Sequence, residues 1–487
     1  MRTRRIHLIN PRASSFTTRP MYFNRALYSP LAGLLAVAAM IPEDRWEVVL
    51  TDENIEPVDF DLDADLVGIS AMTSYVRRGY EIAERYRRRG IPVIMGGVHP
   101  SFMPREALEH ADAVCVGEAE LAIPKILDDV ERGNLRGIYR ADRLLQVENM
   151  RLPRYDLVKK QRYVNSTFIQ TSRGCHHACK FCSEHLMNGL RFRYRPVDDV
   201  IREIESCGVR TLSLNDADFF GTHQRPAELM RALKGRGIRW QAGVTSRLAL
   251  RDDLLELAAD SGCYMLSIGF ESISKDTLKS VHKVVNQPDT FRAVVDKVHS
   301  YGILVFGLFM FGFDGDDPSV FDKTVEFNID ADYDVCAYSA LTPYPGTLTW
   351  YEMQEQGRIF SYDWNKYDQE CIVYEPRSLT KKQLSDGRLG AYEKFYSVPS
   401  MLRRFPLGSS RSMPYWSIYN LFFRKGEVTG RDTDNPIADP TPAPGHAPEP
   451  PIMPERADWQ TLVVNSLEAH DSGGVPALRP VASGPLW

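Results

Sequence analysis

The chain has 487 residues, of which 43% are hydrophobic and 25% are charged, and its formal net charge is -5 at pH 7. At roughly 150 residues per domain, this length predicts about two to four domains with apolar cores. Because the chain has no basic excess, its composition argues against a nucleic-acid partner. The opening residues hold only a short apolar run, too short for a signal peptide or a membrane span, so we expect a cytoplasmic protein.

Residues 4–125 alternate β-rich runs with stretches that can form helices. The strand-like runs are RRIHLIN, WEVVLTD, DLVGIS, IPVIMGG and DAVCVGE. Five such runs with helical stretches between them predict an α/β, doubly wound parallel sheet whose ligand crevice lies beyond the carboxyl ends of the strands. No GxGxxG follows the first run, which argues against an ordinary dinucleotide site.

The predicted loops at this edge of the sheet are rich in glycines and hydroxyl groups. Glycine permits close approach of a backbone to a ligand, and a hydroxyl group can donate or accept a hydrogen bond. The candidate ligand-binding residues on these loops are Ser70, Thr73, Gly96, Gly97, His99, Gly117 and Glu118.

A second alternation occupies residues 165–349. Its six strand-like runs are TFIQTSRG, VRTLSLND, IRWQAGVTS, YMLSIGFES, ILVFGLFMFGF and VCAYSALTPYPG, and helical candidates begin near Pro196, Arg225, Leu250, Gln287 and Pro318. Six units rather than eight predict a partial (β/α)6 barrel, with functional loops at the carboxyl ends of its strands.

Three of the eight cysteines lie in one stretch, TSRGCHHACKFCSEH, directly after the first barrel strand. Their spacing is Cys175-x3-Cys179-x2-Cys182. Such crowding in a long chain indicates a metal or cluster rather than a disulfide framework. Three thiolates can hold three irons of a cubane cluster and leave the fourth iron open for an exchangeable ligand.

Two other interpretations of this stretch remain. A zinc site needs four ligands and the chain has no second CxxC, but His176, His177 or His185 could complete one. A redox pair of Cys179 and Cys182 would leave Cys175 unexplained.

The CxxxCxxC spacing at the start of a partial barrel, with Phe181 before the last cysteine, resembles the radical S-adenosylmethionine superfamily. The resemblance implies that Cys175, Cys179 and Cys182 hold a [4Fe-4S] cluster whose open iron binds S-adenosylmethionine. One electron from the cluster then cleaves S-adenosylmethionine to a 5′-deoxyadenosyl radical. It also implies an electron donor such as flavodoxin or ferredoxin.

Four further residues match elements of that superfamily. GFES resembles the position where a carboxylate meets the ribose or adenine, which implies this role for Glu271. LSLNDADFFG resembles an acidic element near the methionyl end or the substrate, which points to Asp216 and Asp218. Arg247 resembles the basic residue that pairs with the methionyl carboxylate. A surface ion pair or a turn is the alternative role for each of them.

A doubly wound domain before such a barrel resembles the cobalamin-binding members of the superfamily, which implies that residues 1–130 bind cobalamin through the loops named above. The D-x-H-x-x-G motif is missing, so no histidine is expected on cobalt. We expect His99 either to hydrogen-bond a corrin amide or to order its own loop. The loop Ser70–Tyr75 is expected at the seam with the barrel, where Tyr75 lies near the lower cobalt face or simply packs.

The resemblance implies methylation of an unactivated carbon of a small biosynthetic molecule, through the 5′-deoxyadenosyl radical and methylcobalamin. Oxidative cyclisation or rearrangement without net methyl transfer is an alternative within the family. A non-catalytic cobalamin- or metal-binding regulator is an alternative of another class.

The remaining segments divide the chain further. We predict a linker over 131–164 and a helical cap over 350–430, rich in aromatic and basic residues. The cap could wall a pocket for a large apolar substrate, touch a membrane surface, or pack the barrel flank through Trp416, Tyr419 and Phe422. The Pro-rich residues 431–487 are expected to be disordered, with at most a short helix near Trp459.

Overall fold

Two six-stranded parallel sheets form the body of the protein. The structure is a computed structural model, and it describes residues 3–12, 32–141, 143–163, 167–406, 413–429 and 436–449. Within the described residues, no helix is both long enough and apolar enough to cross a membrane.

The first sheet has the strand order β2-β1-β3-β4-β5-β6. Its strands are β1 (Arg4–Asn10), β2 (Trp46–Asp52), β3 (Leu66–Ser70), β4 (Val93–Gly96), β5 (Ala113–Val116) and β6 (Gly137–Arg140). The helices that accompany them are α1 (Ala32–Met40), α2 (Val76–Arg88), α3 (Val98–Phe102), α4 (Pro104–His110) and α5 (Ile123–Glu131). The predicted doubly wound fold is confirmed, and its strand order reverses between β1 and β3, where ligands bind in such sheets.

Strand β6 lies inside the segment for which we predicted a linker. Gly137–Arg140 pairs in parallel with β5, and Tyr139 is its one buried side chain. An edge strand of this length with one buried position shows little alternation, so no sequence periodicity marks it.

The second sheet has the order β14-β13-β12-β11-β10-β7. Its strands are β7 (Phe168–Ile169), β10 (Thr211–Leu214), β11 (Arg239–Val244), β12 (Cys263–Glu271), β13 (Leu304–Phe311) and β14 (Val335–Ala340), and an antiparallel pair consists of β8 (Ser172–Arg173) and β9 (Arg193–Tyr194). The associated helices are α6 (Glu184–Asn188), α7 (Val197–Cys207), α8 (Gln224–Leu233), α9 (Asp252–Asp260), α10 (Lys275–Ser280), α11 (Phe291–Ser300) and α12 (Val320–Asp330). Six parallel strands confirm the predicted partial barrel.

Apolar periodicity explains how the helices pack on the sheets. Helix α2 buries Val76, Tyr80 and Ala83, which recur at helical spacing on one face, while its arginines face outward. The strands of the barrel bury aromatic side chains such as Phe270 and Phe309, whose rings stack with centroids 5.6 Å apart. One continuous apolar core extends through residues of both sheets.

The region 350–430 is mainly helical, as expected for a cap. Its helices are α13 (Leu348–Glu355), α14 (Lys381–Phe395), α15 (Val398–Arg403) and α16 (Met413–Phe423). Helix α16 packs against the barrel flank: the ring of Tyr415 stacks on Tyr264 of β12 at 3.9 Å, and Tyr419 donates to Gln241 Oε1 of β11 at 3.1 Å. These contacts favour the flank-packing role over a pocket wall or a membrane contact.

Part of the Pro-rich region is ordered, which differs from our expectation. Ile437 forms a parallel bridge with Ile372, and Glu449 N–H donates to Phe102 O at 2.7 Å. Proline-rich composition lacks a core of its own, but these backbone groups find partners on the folded body. The predicted short helix near Trp459 lies outside the described residues.

Candidate cluster and cofactor site

The cysteine loop begins where Asp216, after β10, holds the backbone that leads out of β7. Its carboxylate accepts from Thr171 N–H at 2.7 Å and Ser172 N–H at 2.9 Å, and from the Thr171 hydroxyl group. Burial raises the pKa of Asp216 to about 6, although these hydrogen bonds oppose the rise. Asp216 therefore anchors the entry to the loop.

The loop backbone closes tightly around Gly174. This residue has φ 88°, and a Cβ at its position would collide with the Arg191 carbonyl oxygen, so only glycine fits. The next N–H, of Cys175, donates to Gly189 O at 3.1 Å. The cysteine loop thus has a defined starting geometry.

Cys175 and Cys179 are buried and Cys182 is partly exposed, and within the described residues the three thiols are not already gathered into a group that could hold a metal ion. Burial raises the pKa of Cys175, Cys179 and Cys182, the last to about 12, and the neighbouring thiolates raise those of Cys175 and Cys182 further. Burial and mutual repulsion both disfavour three free thiolates, whereas bound iron would offset most of their negative charge. This donor set fits a cluster held by three cysteines.

Lys283 completes the surroundings of the cysteines and was not predicted. Its partly buried ammonium lies 3.2 Å from Glu271 Oε1. Burial lowers the pKa of Lys283, but Cys179 and Glu271 outweigh it and hold that pKa above its usual value. The backbone fixes this neighbourhood, since Lys180 N–H donates to Val281 O at 3.1 Å. No sequence spacing relates Lys283 to the cysteines, so only the fold reveals it.

The predicted S-adenosylmethionine residues occupy the carboxyl ends of β10, β11 and β12. Asp218 is buried and accepts from Thr245 N–H at 3.3 Å and Oγ1 at 3.2 Å. Glu271 has φ 64°, and a Cβ on Gly269 would lie 2.5 Å from Glu271 Oε1, so glycine makes room for this carboxylate. Arg247 lies just after β11 and is exposed.

Phe181, in the cysteine loop, contacts the loop that follows β13. Its ring centroid lies 6.3 Å from that of Phe313, and the side chain is partly buried. The cysteine loop, Asp216, Asp218 and Glu271 therefore share one end of the barrel sheet.

A cavity of about 300 Å³ opens beside the carboxyl ends of β3, β4 and β5. Its inner wall is apolar, and its lining includes Ile6, Leu8, Val37, Ile126, Leu127, Ser70, Gly96, Gly97, Gly117 and Glu118. At Gly97, with φ 95°, a Cβ would lie 2.8 Å from the backbone of Ala71, so a larger residue is excluded. A glycine-lined entrance above an apolar slot fits the nucleotide tail of cobalamin.

Thr73 and His99 lie outside the lining of this cavity. The fully buried His99 ring contacts Thr73 Oγ1 and Glu106 Oε1, both at 3.3 Å, and its centroid lies 5.0 Å from that of Trp364. Burial raises the pKa of Glu106, but hydrogen bonds from His99, Tyr80 and Trp364 more than offset this and lower it. The geometry favours the loop-ordering role of His99.

The loop Ser70–Tyr75, expected at the seam, contacts the segment that follows the barrel. The turn Thr73–Tyr75 packs against the turn Trp364–Lys366, and Arg77 pairs with Asp363 at 3.0 Å. Tyr75 is buried in the core, in keeping with its packing role.

Family comparison covers both halves of the chain. Residues 20–127 match the B12 binding domain, and residues 169–327 match the Radical SAM superfamily. The structure of TsrM from Kitasatospora setae, a radical S-adenosylmethionine methyltransferase with bound cobalamin and [4Fe-4S] cluster, superposes with a TM-score of 0.59. The match has 20% identity and covers 73% of this chain and 78% of TsrM, which establishes a common fold.

Two curated relatives match over most of their length. Bacteriochlorophyllide d C-12(1)-methyltransferase of Chlorobaculum tepidum is 31% identical over 82% of this chain and 88% of its own. Hopanoid C-2 methylase of Rhodopseudomonas palustris is 28% identical over 78% of this chain and 79% of its own. The chain therefore belongs to the cobalamin-binding radical S-adenosylmethionine enzymes, and its cofactors are a [4Fe-4S] cluster, S-adenosylmethionine and cobalamin.

Proposed function

We propose that this enzyme methylates an unactivated carbon of a small biosynthetic molecule. One observation carries the proposal: residues of both sheets line the same cavity. Gly96, Gly97 and Gly117 contribute from the first sheet, while Arg173 and Asn215 contribute from the barrel. A methyl carrier in the crevice and a radical source at the cysteine loop would therefore face each other.

Each group of residues has a separate task in this proposal. Cys175, Cys179 and Cys182 would hold the cluster, and Glu271, set by Lys283, would orient S-adenosylmethionine. Ser70 and the cavity glycines would hold cobalamin. When bound, the cofactors supply a one-electron cleavage of S-adenosylmethionine and a transferable methyl group, while the chain positions them and excludes water.

Asp218 and Arg247 remain proposed contacts of the methionyl end of S-adenosylmethionine. The 3.8 Å distance between the buried Asp218 carboxylate and His177 Nε2 of the cysteine loop supports this proposal. The exposed Arg247 would close on the carboxylate when the ligand arrives.

Among small molecules, the substrate class we propose is an extended, mainly apolar ring system. The relatives are named for bacteriochlorophyllide and hopanoid methylation, and both molecules fit this description. We further propose that flavodoxin or ferredoxin supplies the electron, in the cytoplasm. Both proteins are one-electron donors of low potential, which suits reduction of a [4Fe-4S] cluster.

The test begins with anaerobic reconstitution and quantitation of iron, sulfide and cobalamin. The wild type should bind a cluster and cobalamin and cleave S-adenosylmethionine, whereas Cys182→Ala should lose the cluster absorbance. Cys371→Ala, which removes a buried thiol far along the chain, is the matched control and should keep it.

Product counting with bacteriochlorophyllide d and a hopanoid as probes then identifies the reaction. Methylation should yield S-adenosylhomocysteine and 5′-deoxyadenosine in equal amounts. Cyclisation or rearrangement would give no S-adenosylhomocysteine. A reconstituted wild type with neither cluster absorbance nor S-adenosylmethionine cleavage would overturn the proposal and favour a regulator.

A further inference from the structure

Arg173 joins the two sheets through a buried ionic fork. Its Nη1 lies 2.9 Å from Glu118 Oε1, and its Nη2 lies 2.5 Å from Glu120 Oε1. The side chains of all three residues are at most 8% exposed. Both carboxylates belong to the loop after β5, whereas the guanidinium belongs to β8 of the barrel half. The fork is thus an interdomain contact shielded from solvent.

Glu118 also offsets the repulsion between two neighbouring arginines. Arg173 and Arg193 lie directly opposite each other across the β8–β9 pair, where like charges repel. Arg193 donates to Glu118 Oε2 at 3.0 Å and Oε1 at 2.9 Å, and Leu145 N–H donates to Oε2 at 2.6 Å. The carboxylate of Glu118 therefore lies between two guanidinium groups and satisfies both.

The four charged groups that these contacts join match in number and sign. The Arg173 and Arg193 guanidinium groups carry two positive charges, and the Glu118 and Glu120 carboxylates carry two negative charges. A buried charge without its partner is strongly disfavoured, and the planar fork of arginine binds two carboxylates in one orientation only. These contacts therefore form at a single relative placement of the two loops.

Each end of the fork leads directly to a cofactor site. Arg173 precedes Gly174 and Cys175, so its position sets the start of the cysteine loop. On the other side, Gly117, Glu118 and Glu120 line the cavity that fits the cobalamin tail.

We propose that Arg173, Glu118 and Glu120 form a positioning device that sets the distance between the cluster and cobalamin. Glu118 was expected to contact the cofactor directly; instead its carboxylate would act through Arg173. The inference rests on the proposed function, because it needs both cofactors in one enzyme.

The test measures the distance between the two cofactors in reconstituted holoenzyme. Cob(II)alamin and the reduced cluster are both paramagnetic, so pulsed EPR detects their dipolar coupling without any substrate. The variants are Arg173→Lys, which keeps the charge and loses the fork, and Glu120→Gln, which leaves Glu118 paired with both arginines. Glu203→Gln is the matched control, since Glu203 pairs with Arg195 at 2.6 Å, equally buried, within the barrel half alone.

We expect Arg173→Lys and Glu120→Gln to lose the resolved dipolar modulation or shift it to longer distance, with iron and cobalamin content unchanged. Glu203→Gln should keep the wild-type trace. If Arg173→Lys fails to fold, Glu120→Gln decides the question alone.

The inference is overturned if folded Glu120→Gln, and Arg173→Lys if it folds, keep the wild-type distance between the cluster and cobalamin. That result leaves the proposed function standing. A wild type that binds only one of the cofactors would instead overturn the proposed function. The two failures therefore give different results.

Discussion

Around the cysteines, the decisive side chains are those that balance buried charge. Lys283 and Glu271 form an ion pair beside Cys179, and Asp216 holds the loop entry through backbone N–H groups. A cluster with three thiolate ligands is anionic and becomes more so on reduction. A fixed ammonium nearby favours the reduced form, because opposite charges attract strongly in a buried site.

The Lys283 ammonium should therefore raise the reduction potential of the cluster. We expect Lys283→Met to lower the midpoint potential by roughly 60 mV, which corresponds to a tenfold change for a one-electron couple. Lys283→Arg keeps the positive charge, so its midpoint potential should stay near that of the wild type. Potentiometric EPR titration of the reconstituted protein measures both, and an unchanged potential in Lys283→Met would contradict the role.

A second residue-scale prediction concerns His7 in β1. Burial lowers the pKa of His7 to about 4, while Tyr86 OH and Thr51 Oγ1 lie 3.0 and 2.8 Å from its ring nitrogens. The unfolded chain, with a histidine pKa near 6.5, binds the proton more readily than the folded chain. This contribution to stability is complete above pH 6.5 and is lost as the pH falls toward 4.

Between pH 6.5 and 4, we expect the protonation of His7 to lower the free energy of unfolding of the wild type by up to about 3 kcal/mol. His7→Gln cannot be protonated and should show a shallower pH dependence of its urea midpoint. If the urea midpoints of the two proteins change equally with pH between 6.5 and 4, His7 does not make this contribution.

Among the elements, two short pieces pack on the folded body from unexpected parts of the chain. Strand β6 extends the first sheet from the predicted linker, while the segment 436–449 pairs with Ile372 and Phe360 at its start and with Phe102 of the first domain at its end. Glu449 pairs with Arg105 at 2.5 Å, and Tyr351 OH donates to Pro448 O at 3.2 Å. Such pieces bury few apolar groups, so their stability depends on backbone partners supplied by the folded body.

Truncation tests the contribution of the returning segment. A chain that ends at residue 435 should lose about 1–3 kcal/mol of stability with these hydrogen bonds. A chain that ends at residue 450 keeps every one of them and should melt like the full-length protein. Calorimetry measures the melting temperatures of the full-length protein and of both shortened chains. Equal melting temperatures would show that residues 436–449 contribute nothing to stability.

For the molecule as a whole, cofactor binding and stability are linked, because the cavity exists only in the folded chain. A ligand at one hundred times its Kd stabilises a fold by about 2.7 kcal/mol. Gly96 lines the cavity, and a Cβ there would make only an ordinary 3.5 Å contact with Cys115 O. The backbone therefore accepts a side chain at this position, and a branched side chain there would narrow the cavity.

We expect added cobalamin to raise the melting temperature of the wild type but not of Gly96→Val. Gly390→Val is the control, since a Cβ at Gly390 meets nothing within 4 Å, and its response should match the wild type. A full cobalamin shift in Gly96→Val would place the cofactor elsewhere.

The sequence by itself determined the cysteine loop, both parallel sheets and the order of the two domains. The chelation proposed for Cys175, Cys179 and Cys182 follows from their local spacing, and alternating apolar runs predict the parallel strands. Glycine after a strand likewise marks a loop that a ligand approaches closely, as Gly96 and Gly97 do at the cavity. These features depend on residues near each other in the chain.

Only the tertiary structure decided which charges meet. Glu118 and Arg173 are 55 residues apart, and no periodicity relates them. The same holds for Lys283, which reaches the cysteines from the turn after α10, and for His99, whose ring nitrogens contact Thr73 and Glu106. Which charged groups pair depends on their distance in space and on their burial, and a sequence pattern contains neither.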